Sequence, residues 1–427
     1  MVSCDRSGFV IVGAGAAGLM AARELARAGK RVVIVEARER CGGRIDPLPV
    51  EEFGYAAEGG AEFVHGAAAL TRGLMGEAGL SLLPSSGTRW RAAKGVLAPA
   101  ERATPYAAEF HRALGMLSTD LPVADFLAQN FAAPHYAELR SSILRMVEGF
   151  DAADPSRAST FALRDEWMSS GLGRQGRIAE GYGALIAFLL AECRRHGAAI
   201  HLGKVVTAID TDGQGVVTRC RDGSLFEASA AILTVPLPVL AGIALPPAVS
   251  AKVAASGDIG FGNVVKILLR FATTWWHDCG AGGLANLSFV ISGSTVPTWW
   301  TQHPAPYPVL TGWLAGPKTA AVTGLHAAEL VALGLDSLAE MFAVSRDRLR
   351  EMLVASRAIN WGDDPFARGA YSYATPKTRG ALSVLLKPEA GIFFSGEALY
   401  SGAEMGTVEA ALASGSETAR TILNSRG

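Results

Sequence analysis

Four apolar residues, Phe9–Val12, have the length of a buried strand. A turn of small residues follows, Gly13-Ala14-Gly15-Ala16-Ala17-Gly18, and helical spacing then runs from residue 16 to about 28. Gly29-Lys30 ends that helix, and residues 31–35 form a second strand with Glu36 at its end. From about residue 107 to 195 the pattern is mostly helical, broken at Pro134 and Pro155, and its strongest helix spans 178–193. Short alternating strands come next, at 199–202, 205–210, 215–219 and 228–234, with turn signals at Asp212-Gly213 and Asp222-Gly223. A further strand is expected over 264–271, and helices over 327–342 and 345–355. The tail carries a strand at 391–394 and a helix from about 407 to 423.

The first strand, turn and helix have a chemical logic. Gly13 allows the tight turn, Gly15 lets backbone approach a pyrophosphate, and Gly18 lets the helix pack on the strand. The helix start, at Ala16 and Ala17, directs amides at the phosphates. Glu36 stands about twenty residues on, where an acid accepts ribose hydroxyls and disfavours a 2′-phosphate. A dinucleotide site is therefore expected, and NADP is not. Strand-then-helix recurs at the far end of the chain, which implies a discontinuous domain whose two ends fold together. Ser85-Ser86-Gly87 marks a crossing point towards the second domain.

Composition narrows the choices. In 427 residues the formal net charge is −1, so nothing points to nucleic acid or to an anionic membrane. No run of eighteen apolar residues is uninterrupted; the best stretch, 228–249, contains Pro236, Pro238, Pro246 and Pro247. The start Met1-Val2-Ser3-Cys4-Asp5-Arg6 is too short and polar for a signal peptide. Five cysteines are scattered without metal spacing, as expected of reduced thiols in a cytoplasmic protein with no structural metal.

Glu36-Ala37-Arg38 followed by Gly42-Gly43-Arg44 resembles the FAD-binding amine oxidase family. Later segments resemble it in the same order. Glu58-Gly59-Gly60-Ala61-Glu62-Phe63-Val64-His65-Gly66 is similar to the segment beside the flavin ring, with Gly59 in place of the usual leucine. Val206 falls on the strand that holds the adenine. Phe261-Gly262-Asn263-Val264-Val265-Lys266 resembles the segment ending in the active-site lysine, and an ammonium on an apolar strand is costly unless compensated. Trp361 and Arg368-Gly369-Ala370-Tyr371-Ser372-Tyr373 resemble the segment on the flavin's re face. Gly396-Glu397 and Gly406-Thr407-Val408 resemble the closing motif, whose amides face the flavin pyrimidine.

The resemblance implies an α/β protein with a discontinuous Rossmann-like FAD-binding domain (1–85, 196–250 and 375–427) and a mixed α+β substrate-binding domain (86–195 and 251–374). It implies non-covalent FAD, because Ala370 stands where some members carry a flavin-bonding cysteine. It assigns Lys266, Tyr371 and His65 to catalysis, with Tyr371 as one wall of an aromatic cage and Tyr400 as a candidate second wall, since Thr407 supplies no ring. The implied reaction oxidises a small-molecule amine to an imine and reduces dioxygen to hydrogen peroxide. An L-amino-acid oxidase, a non-oxidase flavoprotein and a dehydrogenase using another acceptor remain open. Five tryptophans, Trp275, Trp276, Trp299, Trp300 and Trp313, are divided between core and cavity entrance in this reading.

Overall fold

A computed structural model describes residues 8–100, 105–168, 175–280 and 283–425. The polar start with Cys4 lies outside the described residues. Phe9–Val12 is the centre of a five-stranded parallel sheet, flanked by Ala230–Leu233 and Val32–Val35, with Ile392–Phe394 and Ala199–His201 at the edges. Such a sheet needs cover on both faces, which is why its strands are continuous apolar runs. Ala16–Arg27 covers one face together with Tyr182–Arg195 and Val408–Asn424. The first and last of these helices cross closely: a Cβ on Gly415 would lie 2.3 Å from the Ala17 carbonyl oxygen.

The second large sheet has seven strands, in the order Leu353–Asn360, Val264–Phe271, Val309–Ala315, Thr298–Trp300, Leu287–Ile291, Thr88–Ala93 and Val96–Pro99. All its pairings are antiparallel except that of Leu287–Ile291 with Thr88–Ala93. The chain enters this sheet through Ser85-Ser86-Gly87, leaving a small sheet of Val64–His65, Gln175–Ile178 and Leu82–Pro84. Helices from Ala107–Met116 to Thr160–Met168 form a separate apolar cluster, with Tyr373 in its core.

Two expectations shift. Residue 178 closes a strand, and the helix starts at Tyr182, because Gly181 adopts φ 79° and turns the chain. The helix expected over 345–355 stops at Met352, and residues 353–360 become an edge strand paired with Val264–Phe271. The proline-rich stretch 228–249 is broken into strand and short helices, and among the described residues no single helix is long and apolar enough to cross a membrane.

Candidate active site

Both large sheets deliver residues to one cavity of about 1720 Å³. Every residue expected at the site lines it except Gly18. Gly18 acts beneath the surface: a Cβ there would sit 2.0 Å from the Gly13 carbonyl oxygen, so only glycine lets the helix close on the turn. Gly13 itself has φ 110°. Gly15, by contrast, has open space, its nearest obstacle being the Gly42 oxygen at 3.9 Å. The turn is therefore tight behind and free in front, the shape a pyrophosphate needs.

Glu36 is buried and braces this loop, accepting the Ala14 N–H at 2.7 Å and the Arg38 N–H at 2.9 Å. Arg38 grips Asp364 with two bonds of 2.8 and 2.6 Å. Arg44 donates to the Ala370 carbonyl and to Glu397, each at 2.7 Å, and Glu397 accepts from the Ser372 hydroxyl. Thr407 caps the final helix by accepting the Ala410 N–H at 3.2 Å, leaving the first amides of that helix at the cavity. Val206 lines the same space. A Cβ on Gly60 would strike the Arg44 oxygen at 1.8 Å, and Trp361 donates to the Gly59 carbonyl at 3.2 Å. Ile359 explains the missing leucine: a Cβ on Gly59 would lie 2.6 Å from its Cδ1 and 2.8 Å from Asp46 Oδ2.

Lys266 has 0 % exposure, and its strand places it opposite Trp313. Its Nζ donates to Glu62 Oε2 at 2.8 Å and to the Gly60 carbonyl at 3.1 Å, and lies 5.6 Å from the Trp300 ring centre. Glu62 Oε1 accepts from Arg177 Nε at 2.7 Å, Trp300 Nε1 at 3.0 Å and Gln302 Nε2 at 3.2 Å. Burial alone would raise the Glu62 carboxyl, but Lys266 and Arg177 outweigh it and hold it down at about 2. At nearby Glu58 burial outweighs the pull of the Lys266 ammonium and pushes the carboxyl up to about 8.

Aromatic side chains form a collar in the cavity wall. Tyr371 and Trp313 are 6.5 Å apart between ring centres and 22° from parallel. Trp313 neighbours Trp300 at 5.6 Å, Trp300 neighbours Phe63 at 5.6 Å, Phe63 neighbours His65 at 5.9 Å, and His65 meets Phe150 edge-on at 5.6 Å. The Tyr371 hydroxyl closes the circuit by donating to the Phe150 carbonyl at 2.6 Å, and Trp313 Nε1 donates to the Gly149 carbonyl at 2.8 Å. Burial lowers the His65 imidazole to about 4, so it is neutral at pH 7. Tyr400 also lines the cavity, but Trp313 is the ring beside Tyr371. Trp275, Trp276 and Trp299 are buried in the core.

Asp151 and Glu166 line the same cavity. Burial raises both carboxyls, and their mutual repulsion adds to the rise at Asp151. Neither was visible as a site residue in the sequence, nor were Arg177, Gln302 and Glu58. Arg177 sits on a four-residue strand, Gln175–Ile178, with no apolar alternation to announce it. Trp300 and Trp313 were two of five tryptophans without a way to choose between them.

The family model described as flavin containing amine oxidoreductase matches residues 16–423. The chain belongs to this family. It is an amine oxidoreductase, and the family implies a flavin cofactor. Polyamine oxidase 4 of Oryza sativa subsp. japonica is 26 % identical over 460 residues, covering 98 % of this chain and 90 % of that protein. Lysine-specific histone demethylase 2 of Homo sapiens is 26 % identical over 422 residues, covering 91 % of this chain but 50 % of that protein. Among solved structures, wild-type putrescine oxidase bound to putrescine superposes with a TM-score of 0.79 at 20 % identity, over 98 % of this chain and 99 % of that one. Cyclohexylamine oxidase from Brevibacterium oxydans IH-35A gives 0.78 at 19 % identity over the same shares. These two likenesses establish the fold: an α/β protein with a parallel dinucleotide-type sheet and a sheet-rich second part.

Proposed function

We propose that this amine oxidase binds FAD without a covalent bond, oxidises a small-molecule amine to an imine that hydrolyses to an aldehyde or ketone, and passes the electrons to dioxygen to give hydrogen peroxide. Bound FAD would supply the redox chemistry, accepting a hydride equivalent from the carbon that bears the nitrogen. The observation that carries the reading is Lys266, an ammonium with no exposed surface in the wall of a cavity that also holds the phosphate-shaped turn. Glycine at 13, 15 and 18, Glu36 and the capped helix at Thr407 fit a dinucleotide. Ala370 offers no thiol, and its backbone is already engaged by Arg44 and Gly262.

The chain's own groups explain how an amine would be received. The collar supplies an apolar, aromatic slot, which orients the substrate nitrogen and excludes water. His65 is neutral and does not repel a cation. Burial and repulsion from Glu166 keep the proton on Asp151, while Glu166, raised to about 7, retains an ionised fraction at neutral pH that can take a proton from an arriving ammonium, so that the amine reacts in its neutral form. Four described cysteines are free thiols, in keeping with a cytoplasmic location. The test is anaerobic bleaching of the flavin absorbance against a panel of monoamines, diamines, polyamines and L-amino acids, followed by admission of oxygen. Bleaching by amines and peroxide on reoxidation is the expected result. Bleaching by L-amino acids alone would reassign the substrate, and reduced flavin inert to oxygen would reassign the acceptor.

A further inference from the structure

A lysine ammonium with no exposed surface must be neutralised, lose its proton or destabilise the fold by several kcal/mol. Here one carboxylate faces it at salt-bridge distance, and that carboxylate is unusually well fixed. Glu62 Oε2 takes Lys266, while Oε1 is anchored by Arg177, Trp300 and Gln302 at 2.7 to 3.2 Å. Arg177 is itself locked, donating to the Thr301 carbonyl at 3.1 Å with its guanidinium 4.4 Å from the centre of the Phe63 ring. An ammonium has three N–H donors. Glu62 and the Gly60 carbonyl use two, which fixes the direction of the third.

We propose that Glu62 is a positioning residue: it keeps the Lys266 ammonium charged and pointed across the cavity, so that the action of Lys266 on bound flavin is constant with pH. The proposal rests on the amine oxidase reading above and goes beyond it, since the resemblance set Glu62 only beside the cofactor. The other ionisable groups facing the pair are Glu58, Arg177 and Tyr55. Tyr55 is a buried phenol pushed well above its ordinary value. Glu58 titrates near pH 8, inside an ordinary assay window, and must be removed from the comparison.

The experiment therefore compares E58Q with E58Q/E62Q as FAD-loaded proteins. Flavin is photoreduced, so that no amine is needed, and reoxidation by oxygen is followed by stopped flow from pH 6 to pH 10. Midpoint potentials are measured over the same range. Removing the carboxylate leaves a buried ammonium without its ion-pair partner, and burial disfavours its charged form. Reoxidation of E58Q/E62Q should fall by about tenfold or more across the range, whereas E58Q should vary about twofold or less. The potential of E58Q/E62Q should lie above that of E58Q at pH 6, where an uncompensated cation remains, and meet it at pH 10. Parallel profiles in both measurements would overturn the proposal. If neither protein reacts with oxygen, the oxidase reading fails, while the potentials still decide the role of Glu62. If E58Q/E62Q does not fold or hold FAD, E62Q/K266M decides. Recovery of folded holoprotein shows that Glu62 serves Lys266, and continued failure shows that it serves Arg177 and the fold instead.

Discussion

Glu58 makes the strongest prediction about pH. Its side chain is buried, its Oε1 accepts the Tyr182 N–H at 2.6 Å, and its Oε2 has no partner among the described residues. Such a carboxyl is more stable with its proton on. Raising it from 4.5 to about 8, at about 1.4 kcal/mol per pH unit, gives a ceiling of about 5 kcal/mol for the linked stability. The sign follows from the folded state holding the proton more tightly. The contribution is complete below pH 4.5, is lost as pH rises towards 8, and is flat above that. Glu58→Gln copies the neutral acid in size and can still accept from Tyr182, so it removes the dependence while leaving the packing. Its amide adds an unsatisfied donor in place of Oε2, a destabilisation of about 1–3 kcal/mol that does not change with pH. Urea unfolding of both proteins at intervals from pH 4.5 to pH 9 reads the difference directly. The variant should be the weaker protein in acid and should gain on the wild type steadily as pH rises. A constant difference across the range would show that Glu58 ionises normally in the folded protein, and the account of this part of the site would be wrong.

Three further outcomes are expected. The purified protein should be yellow and release all its flavin on acid or heat precipitation; flavin left on the denatured chain would refute the reading of Ala370. Tyr371→Ala should lower amine turnover by roughly fivefold or more, through loss of a ring contact worth on the order of 1 kcal/mol, while FAD content is retained; equal loss of flavin would make the ring structural. Lys266→Met should slow reoxidation of reduced flavin by about tenfold or more, with anaerobic reduction by amine changed less; a wild-type reoxidation rate would remove Lys266 from its assigned role.

What could be read from the sequence was what is local. The turn at Gly13 to Gly18, the strand Phe9–Val12 and Glu36 lie within one short segment, and their spacing specifies their geometry. The same holds for Thr407 at its helix start. The partners of Glu62 are different, since Arg177, Trp300 and Lys266 come from three strands more than a hundred residues away along the chain. Nothing in the neighbourhood of Arg177 distinguishes it from a solvated arginine. Asp151 and Glu166 likewise acquire meaning only when the helical region folds them against Tyr371. The edge strand Leu353–Asn360 was missed because its exposed and half-buried positions mix small, polar and apolar residues without clean alternation.

The parallel sheet is built in an order that the ribosome does not follow. Its central strand, Phe9–Val12, is made before every other strand of the sheet, yet one neighbour is Ala230–Leu233, and beyond that the edge is filled by Ile392–Phe394. Arg44 finds Glu397 across 353 positions, and Ala17 finds Gly415 only in the last helix. Until those residues emerge, a growing chain carries Ala230–Leu233 with one side unpaired, although all four residues are buried in the finished protein. An apolar, unpaired strand edge is a template for the wrong partner. The interval between synthesis of residue 233 and residue 394 is thus a period of exposure to aggregation, and the turn at Gly13–Gly18 cannot be fully braced before it ends.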